Sequence, residues 1–310
     1  MTDRSVQQLA VSTTCQRWTF EVRSEDMSFP NLRALTCSVA VFLAALILNG
    51  CAGTRMQMPQ LSPVTRADMK VRFSEGLQPS LGVPIPQRSS FARQVADRVH
   101  LGARVMCGRL FGPEHQCDTR LATYRLTVAA SDATVNAQID SRGQITVFGG
   151  LIGRVGSEDE LAAVLAHEYA HGLMGHVGKK MRNIATATLI GLAAGAVVGA
   201  KSDAPNDTGD AAEAGARIGM IAGTRAYSQA MENEADHLGL FILREAGFNL
   251  KAASHFHMRL LNERKFVQTG RDRHSLLYLR THPGSKERIQ KLIAAEKMIE
   301  SGHTQPLWKR

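Results

Sequence analysis

The sequence predicts an α+β fold, mainly helical, with one small antiparallel sheet. Three observations lead there. Two serine-headed stretches, beginning at residues 89–90 and at 157, carry apolar side chains at the three- and four-residue spacing of a helix with one buried face. Between them, residues 124–148 alternate apolar and polar side chains, the two-residue period of strands. Finally, 44% of the 310 residues are hydrophobic, enough to build a core for one large domain or two small ones. The formal charge of +9 is scattered along the chain and only 5% of residues are aromatic, so no stacking platform for nucleic acid exists and nucleic acid is not an expected partner. The charge reads as solubility, with some attraction to anionic membrane surfaces.

Residues 27–50 have the charge and length of a secretory signal peptide. Arg33 precedes an apolar run from Ala34 to Leu48, interrupted by Thr36, Cys37 and Ser38 and too short for a comfortable membrane span. The run ends in Leu48-Asn49-Gly50-Cys51, which resembles the lipobox of bacterial lipoproteins, although Asn49 departs from the commonest pattern. That resemblance implies that Cys51 becomes the lipidated first residue of the mature chain. Because Ala52 and not an aspartate follows, it also implies an outer-membrane anchor with the protein facing the periplasm. Residues 1–26 are mixed in charge and lack an apolar period, so translation is expected to begin at Met27; the rival reading is a cytosolic extension ahead of a membrane anchor. With Cys15 and Cys37 removed and Cys51 lipidated, Cys107 and Cys117 remain, and a disulfide closing a short loop suits an oxidising periplasm. His115 in that loop admits a metal clip, but two cysteines and one histidine lack a fourth ligand.

Residues 51–89, punctuated by Pro59, Pro63, Pro79, Pro84 and Pro86, read as a tether leading into an early helix near Pro63 to Gly76. Ser89 or Ser90 caps a helix from Phe91 to about Met106, with Phe91, Val95, Val99 and Ala103 on its core face. Tyr124, Leu126 and Val128 share one face of a first strand, and Val135, Ala137 and Ile139 mark a second. Asp140-Ser141-Arg142-Gly143 is a turn, and Gln144 to Phe148 a third strand. This sheet is expected to cover the helical core, its outer strand edging the active site and pairing with an extended peptide.

Ser157 with Glu160 has the spacing of a capping box, with further acidic charge in the first turn, so a helix starts there and runs to about Val177, where Gly178 permits a stop. In its middle lies His167-Glu168-Tyr169-Ala170-His171. Two histidines four apart sit one helical turn from each other, so both imidazoles reach one metal ion while Glu168 projects beside them, the arrangement of a zinc hydrolase. His176 invites the longer HExxHxxGxxH pattern, but Met174 and Val177 stand where that pattern needs glycine and histidine, so the third ligand comes from elsewhere. Ile184 to Ala200 is uncharged and rich in Ala and Gly, and reads by composition as a membrane span. One crossing would separate the later ligand from the two histidines; a small-residue hairpin with Ala211 to Gly223, joined by the polar loop Lys201 to Asp210 and packed on the core or leaning on a membrane, avoids that. In the helical stretch ending near Ala246-Gly247, Glu232 and Asp236 share a face and Glu234 points away. One carboxylate of such a pair can bind metal while the other accepts an imidazole N–H; the rival reading is an acidic, solvated face.

These residues resemble peptidase family M48, whose pattern is HExxH followed by ExxxD, and so do the Tyr227-Ser228-Gln229 lead-in, His176, and Thr281-His282-Pro283 followed by Glu287-Arg288-Ile289. The resemblance implies a zincin-type metallopeptidase domain over residues 90–303, ahead of a short tail at 304–310, similar to periplasmic lipid-anchored members without TPR repeats. It implies one zinc ion per chain held by His167, His171 and Glu232, with Glu168 as base and Asp236 behind a ligand imidazole. His282 would stabilise the oxyanion or bind the ion itself. The family's strand beside the site corresponds to Gly143, Gln144, Ile145, Thr146, Val147 and Phe148. Asn136-Ala137-Gln138 stands where the family has Asn-Ala-Phe, and Ser141-Arg142-Gly143 where it has Pro-Gly-Gly, departures that bear on substrate preference. The implied activity is an endopeptidase cutting unfolded or unassembled envelope polypeptides. Alternatives are a chaperone or assembly factor with a latent zinc site, working with the outer-membrane assembly machinery, and a hydrolase of peptidoglycan peptides.

Overall fold

A computed structural model describes residues 59–112, 117, 121, 124–201, 207–224, 228–267, 277–303 and 306. The extension 1–26, the signal segment, Cys51, His115, Tyr227 and His274 lie outside the described residues.

Helix α1 (Arg66–Gly76) begins where Thr65 and Asp68 cap one another: the Thr65 hydroxyl accepts from Asp68 N–H at 3.1 Å and the Asp68 carboxylate accepts from Thr65 N–H at 3.0 Å. It is no loose tether, because buried Arg72 donates two 2.6 Å hydrogen bonds to Glu296. Helix α2 (Arg88–Phe111) follows a 3-10 turn at Ile85–Gln87 and starts before the expected serine cap; Ser90 instead donates to the Gln87 carbonyl. The α2 face of Val95, Val99, Ala103 and Met106 is buried. Near its end Cys107 is joined to Cys117, with 5.7 Å between their Cα atoms.

Strands β1 (Arg125–Ala129), β2 (Ala137–Ile139) and β3 (Gln144–Phe148) form one sheet in the order β1-β3-β2. The sheet is mixed, which corrects the expectation of an antiparallel one. β2 and β3 make the antiparallel hairpin closed by the Asp140–Gly143 turn, where Gly143 takes φ +80°, but β1 lies parallel to β3 on its far side. Alternation reveals strands and their faces but carries no information about their order.

A short helix α3 (Gly149–Ile152) leads to α4 (Glu158–Leu173), and thirteen of the sixteen α4 residues are buried. A helix buried all round is the centre of a fold. Helices α2, α7 (Gln229–Glu245) and α8 (Lys251–Val267) and strand β2 surround it. Small residues set the approach: a Cβ on Gly239 would sit 3.4 Å from the His167 backbone, and one on Gly102 would meet the Ile242 carbonyl at 2.5 Å. Ser157 accepts from Glu160 N–H as expected, but the Glu160 side chain turns to Gly156 N–H and to buried Arg259. The helix ends at Leu173, earlier than expected, because Gly175 takes φ +65° and redirects the chain into α5 (His176–Gly199).

Helix α5 packs antiparallel on α6 (Asp207–Thr224) with backbones nearly touching: a Cβ on Gly191 would stand 2.1 Å from the Gly215 carbonyl and one on Gly195 2.0 Å from that of Ala211. Outer side chains of both helices, among them Leu189, Val198, Ile218 and Ile221, are exposed, so beyond the first turn of α5, where His176 and Lys179 are buried, this hairpin stands off the core. Among the described residues α5 is the one helix long and apolar enough to cross a membrane. A short helix α9 (Tyr278–Thr281) and α10 (Lys286–Glu300), capped by Ser285, complete the fold.

Candidate metal centre

Four side chains from three elements converge. His167 and His171 come from α4, Glu232 from the first turn of α7, and His282 from the bend after α9; their ligand atoms lie within 4.8 Å of one another and all four are buried. His167 Nε2 stands 2.9 Å from His171 Nε2, 3.2 Å from His282 Nδ1 and 3.5 Å from Glu232 Oε2. Glu232 Oε1 lies 3.3 Å from His171 Nε2 and 3.1 Å from His282 Nδ1. Ligands about 2.0–2.1 Å from a tetrahedral zinc ion stand about 3.3 Å from each other, close to the 2.9–3.5 Å separations found here. Three imidazoles and a carboxylate are also the donor set that such ions take. Two bare Nε2 lone pairs facing each other across 2.9 Å repel, and a shared metal ion relieves that repulsion.

The ring positions are held from behind. Asp236 Oδ1 approaches His167 Nδ1 at 2.9 Å. Arg288, fully buried, reaches Asp236 Oδ2 and Oδ1 at 2.5 and 2.8 Å and Glu232 Oε2 at 2.6 Å. Burial works against both carboxylates, but the Arg288 charge, with the histidines, holds Asp236 and Glu232 well below the usual carboxylate range. Burial also opposes charge on His167, yet Asp236 and Glu232 outweigh it and push the imidazole up to about 9; His171, where burial and the neighbouring His167 act together, lies well below the ordinary histidine value. His176 Nδ1 meets His171 Nδ1 at 2.9 Å, and its Nε2 meets Glu234 at 2.8 Å.

Glu168 projects beside the cluster. It is fully buried, neither carboxylate oxygen has a hydrogen-bond partner among the described residues, and His282 Nε2 lies 3.3 Å from Oε1. His282 is placed by its own N–H, which donates to the Tyr278 carbonyl at 2.7 Å, and by the Tyr278 ring stacked on it at 4.7 Å. Tyr278 N–H donates to Val135 O just before β2, and Thr281 donates to Asn136.

The expectation for Gly143–Phe148 needs correction in one respect. β3 is the middle strand and both its edges are paired, so it has no free edge for a peptide. The outer strand on the α4 side is β2; its bonds to β3 run through Asn136 and Asp140, so the backbone groups of Ala137 and Ile139 turn to the outer edge. The family resemblance named Arg288 and His176 but gave neither a role, and sequence reasoning missed Tyr278 and the His176–Glu234 contact. A signal for Arg288 did exist: two carboxylates on one helix face beside a metal site call for a cation beyond the metal itself.

Comparison with known proteins places this geometry. The model of peptidase family M48 matches residues 112–296. The mitochondrial metalloendopeptidase OMA1 of Schizosaccharomyces pombe is 33% identical over 162 residues, 52% of this chain and 43% of the relative. A putative beta-barrel assembly-enhancing protease of Vibrio cholerae is 32% identical over 161 residues, 51% of this chain and 32% of the relative; its Escherichia coli counterpart is 30% identical over 158 residues, covering 50% and 31%. The chain thus spans less than half the length of the relatives it matches. With the HExxH helix, the glutamate of α7 and the matched region in agreement, the chain belongs to peptidase family M48.

Proposed function

We propose that this chain is a zinc metalloendopeptidase, with His167, His171 and Glu232 holding one zinc ion and Glu168 acting as general base. The observation that carries this is the buried Glu168 carboxylate, without a hydrogen-bond partner among the described residues, set against a convergent donor cluster of near-tetrahedral dimensions. A carboxylate in that position has no structural duty to perform and is left with proton transfer. The ion, when bound, supplies Lewis acidity toward water and the scissile carbonyl. Glu168 takes the proton of the attacking water and passes it to the leaving amine. Asp236 and Arg288 keep His167 and Glu232 from turning away. The outer edge of β2 is the proposed acceptor for an extended polypeptide, by backbone pairing at Ala137 and Ile139.

The site of action proposed is the bacterial envelope, with residues 27–50 as signal peptide and Cys51 as lipid anchor in the outer membrane, and the substrates proposed are misfolded or unassembled envelope proteins. The bacterial relatives, beta-barrel assembly-enhancing proteases, support that setting, while the OMA1 relatives are mitochondrial.

One observation favours a second reading. His282 stands at tetrahedral distance from His167 and Glu232, where a fourth ligand would be. Four protein ligands make a closed, structural type of site. A chaperone or outer-membrane assembly factor with a latent centre would look like this, and so would a protease awaiting displacement of His282. Cleavage of an unfolded model protein separates them. Glu168→Gln, with zinc retained, is expected to lower cleavage about 10²–10⁴-fold, and His282→Ala to raise it or leave it unchanged. Zinc-loaded wild type and His282→Ala that both fail to cleave would sink the protease reading.

A further inference from the structure

We infer that His176 and Glu234 form a hydrogen-bonded relay that fixes the tautomer of His171 and delivers its Nε2 lone pair to the metal centre, an inference that rests on reading that centre as a metal site. The relay is built by local backbone geometry. Gly175, at φ +65°, turns the chain sharply between α4 and α5, so His176 folds back against the ring one turn earlier. Its Nδ1 comes to 2.9 Å from His171 Nδ1, on the side away from the metal centre. Its Nε2 lies 2.8 Å from Glu234 Oε2, a residue contributed by α7 two positions after Glu232. His171, His176 and Glu234 are all fully buried, so bulk water does not supply these contacts.

The positions of the protons follow from this arrangement. An ionised carboxylate only accepts, so His176 Nε2 carries a proton and donates it to Glu234. In a neutral ring Nδ1 is then a bare lone pair and can only accept. The proton between the two Nδ1 atoms therefore belongs to His171, whose Nε2 is left as a lone pair aimed at the cluster, 2.9 Å from His167 Nε2 and 3.3 Å from Glu232. The opposite tautomer of His171 would point an N–H into the cluster and oppose two lone pairs across 2.9 Å. Metal-bound histidines usually hand their second N–H to a carboxylate or carbonyl. His167 has Asp236 beside its Nδ1 at 2.9 Å, whereas His171 reaches a carboxylate only through an intervening imidazole, and this gives Glu234 a purpose although it points away from Glu232. His176 and Glu234 are positioning residues and touch neither metal nor substrate.

The test measures zinc affinity by chelator competition on the full chain, with far-UV circular dichroism to follow folding. His176→Leu is expected to weaken zinc binding about 10–100-fold, and Glu234→Ala to weaken it in the same direction. His176→Gln, whose side-chain carbonyl can accept from His171 Nδ1–H, should stay within a few-fold of wild type. In cobalt(II)-loaded protein, the shifted exchangeable N–H signal of His171 should be lost in His176→Leu while that of His167 persists. Equal losses in the leucine and glutamine variants would overturn the relay in favour of simple packing. Unchanged affinity in Glu234→Ala overturns it whether or not the leucine variant folds. A wild type that binds no zinc overturns the metal centre and the relay together, whereas one that binds zinc equally well in all variants overturns the relay alone.

Discussion

His237 makes the fold acid-sensitive in a way that can be calculated. It lies one residue past Asp236 on α7, is 2% exposed, and neither ring nitrogen has a hydrogen-bond partner among the described residues. Burial therefore depresses its pKa from 6.5 to about 4, only partly offset by the charge of Asp236. A base whose folded pKa is lowered binds fewer protons folded than unfolded, so stability is intact above pH 6.5 and is lost as pH falls toward 4. With those two values the loss is about 2 kcal/mol between pH 7.5 and 5, and about 3.4 kcal/mol once both states are protonated. Denaturant unfolding of zinc-saturated wild type and His237→Phe at a series of pH values isolates this contribution, because acid release of metal acts on both proteins alike. The phenylalanine variant should lose about 2 kcal/mol less than wild type between pH 7.5 and 5. Parallel stability curves for the two proteins would refute the reasoning.

Other perturbations probe the same physics elsewhere. His257→Phe should flatten the acid limb by a further amount of about 2 kcal/mol, since burial first and then the Arg288 charge depress His257 to about 3; unfolding midpoints at pH 7.5 and 5 read it. Glu160→Ala should cost about 3–5 kcal/mol, because Arg259, 8% exposed and held by two bonds to Glu160, is left as an uncompensated buried charge; urea unfolding measures it. Replacing Cys107 and Cys117 by serine should lower stability by about 2–3 kcal/mol, the entropy returned to an unfolded loop closed over ten residues, with no effect on zinc affinity.

How far the sequence carried these conclusions depended on whether the determinant was local. The α4 helix was legible because Ser157, the acidic first turn and the two histidines all lie within fifteen residues, and a helix converts such spacing into geometry. Glu232 and Asp236 were legible for the same reason, once a third metal ligand was needed. The position of β3 was not, because strand order depends on how residues 130–136 carry the chain across the sheet, and the alternation of Leu126, Val128, Ala137 and Ile139 is the same for either order. The early stop of α4 turned on which glycine takes positive φ: Gly175 does and Gly178 does not, though both are unbranched and three residues apart. The resemblance picked out Arg288, but its work stayed hidden because its partners lie more than fifty residues earlier, and by itself an arginine after a serine cap resembles any exposed helix residue.

The buried acids around the centre differ in what each has to bind, and that difference assigns their work. Glu232 faces three imidazoles and the Arg288 guanidinium. Asp236 is taken by Arg288 and His167, and Glu234 by His176. Each of these carboxylates is committed to a cation or an N–H donor, and moving a proton onto any of them would break that pairing. Glu168 has no such donor among the described residues, and His282 Nε2 stands 3.3 Å from its Oε1. Burial without a hydrogen-bond donor is costly for a carboxylate, and the described residues supply Glu168 with none. The carboxylate with no such pairing to break is thus the one for which proton transfer is proposed, and this holds whether or not His282 has moved aside.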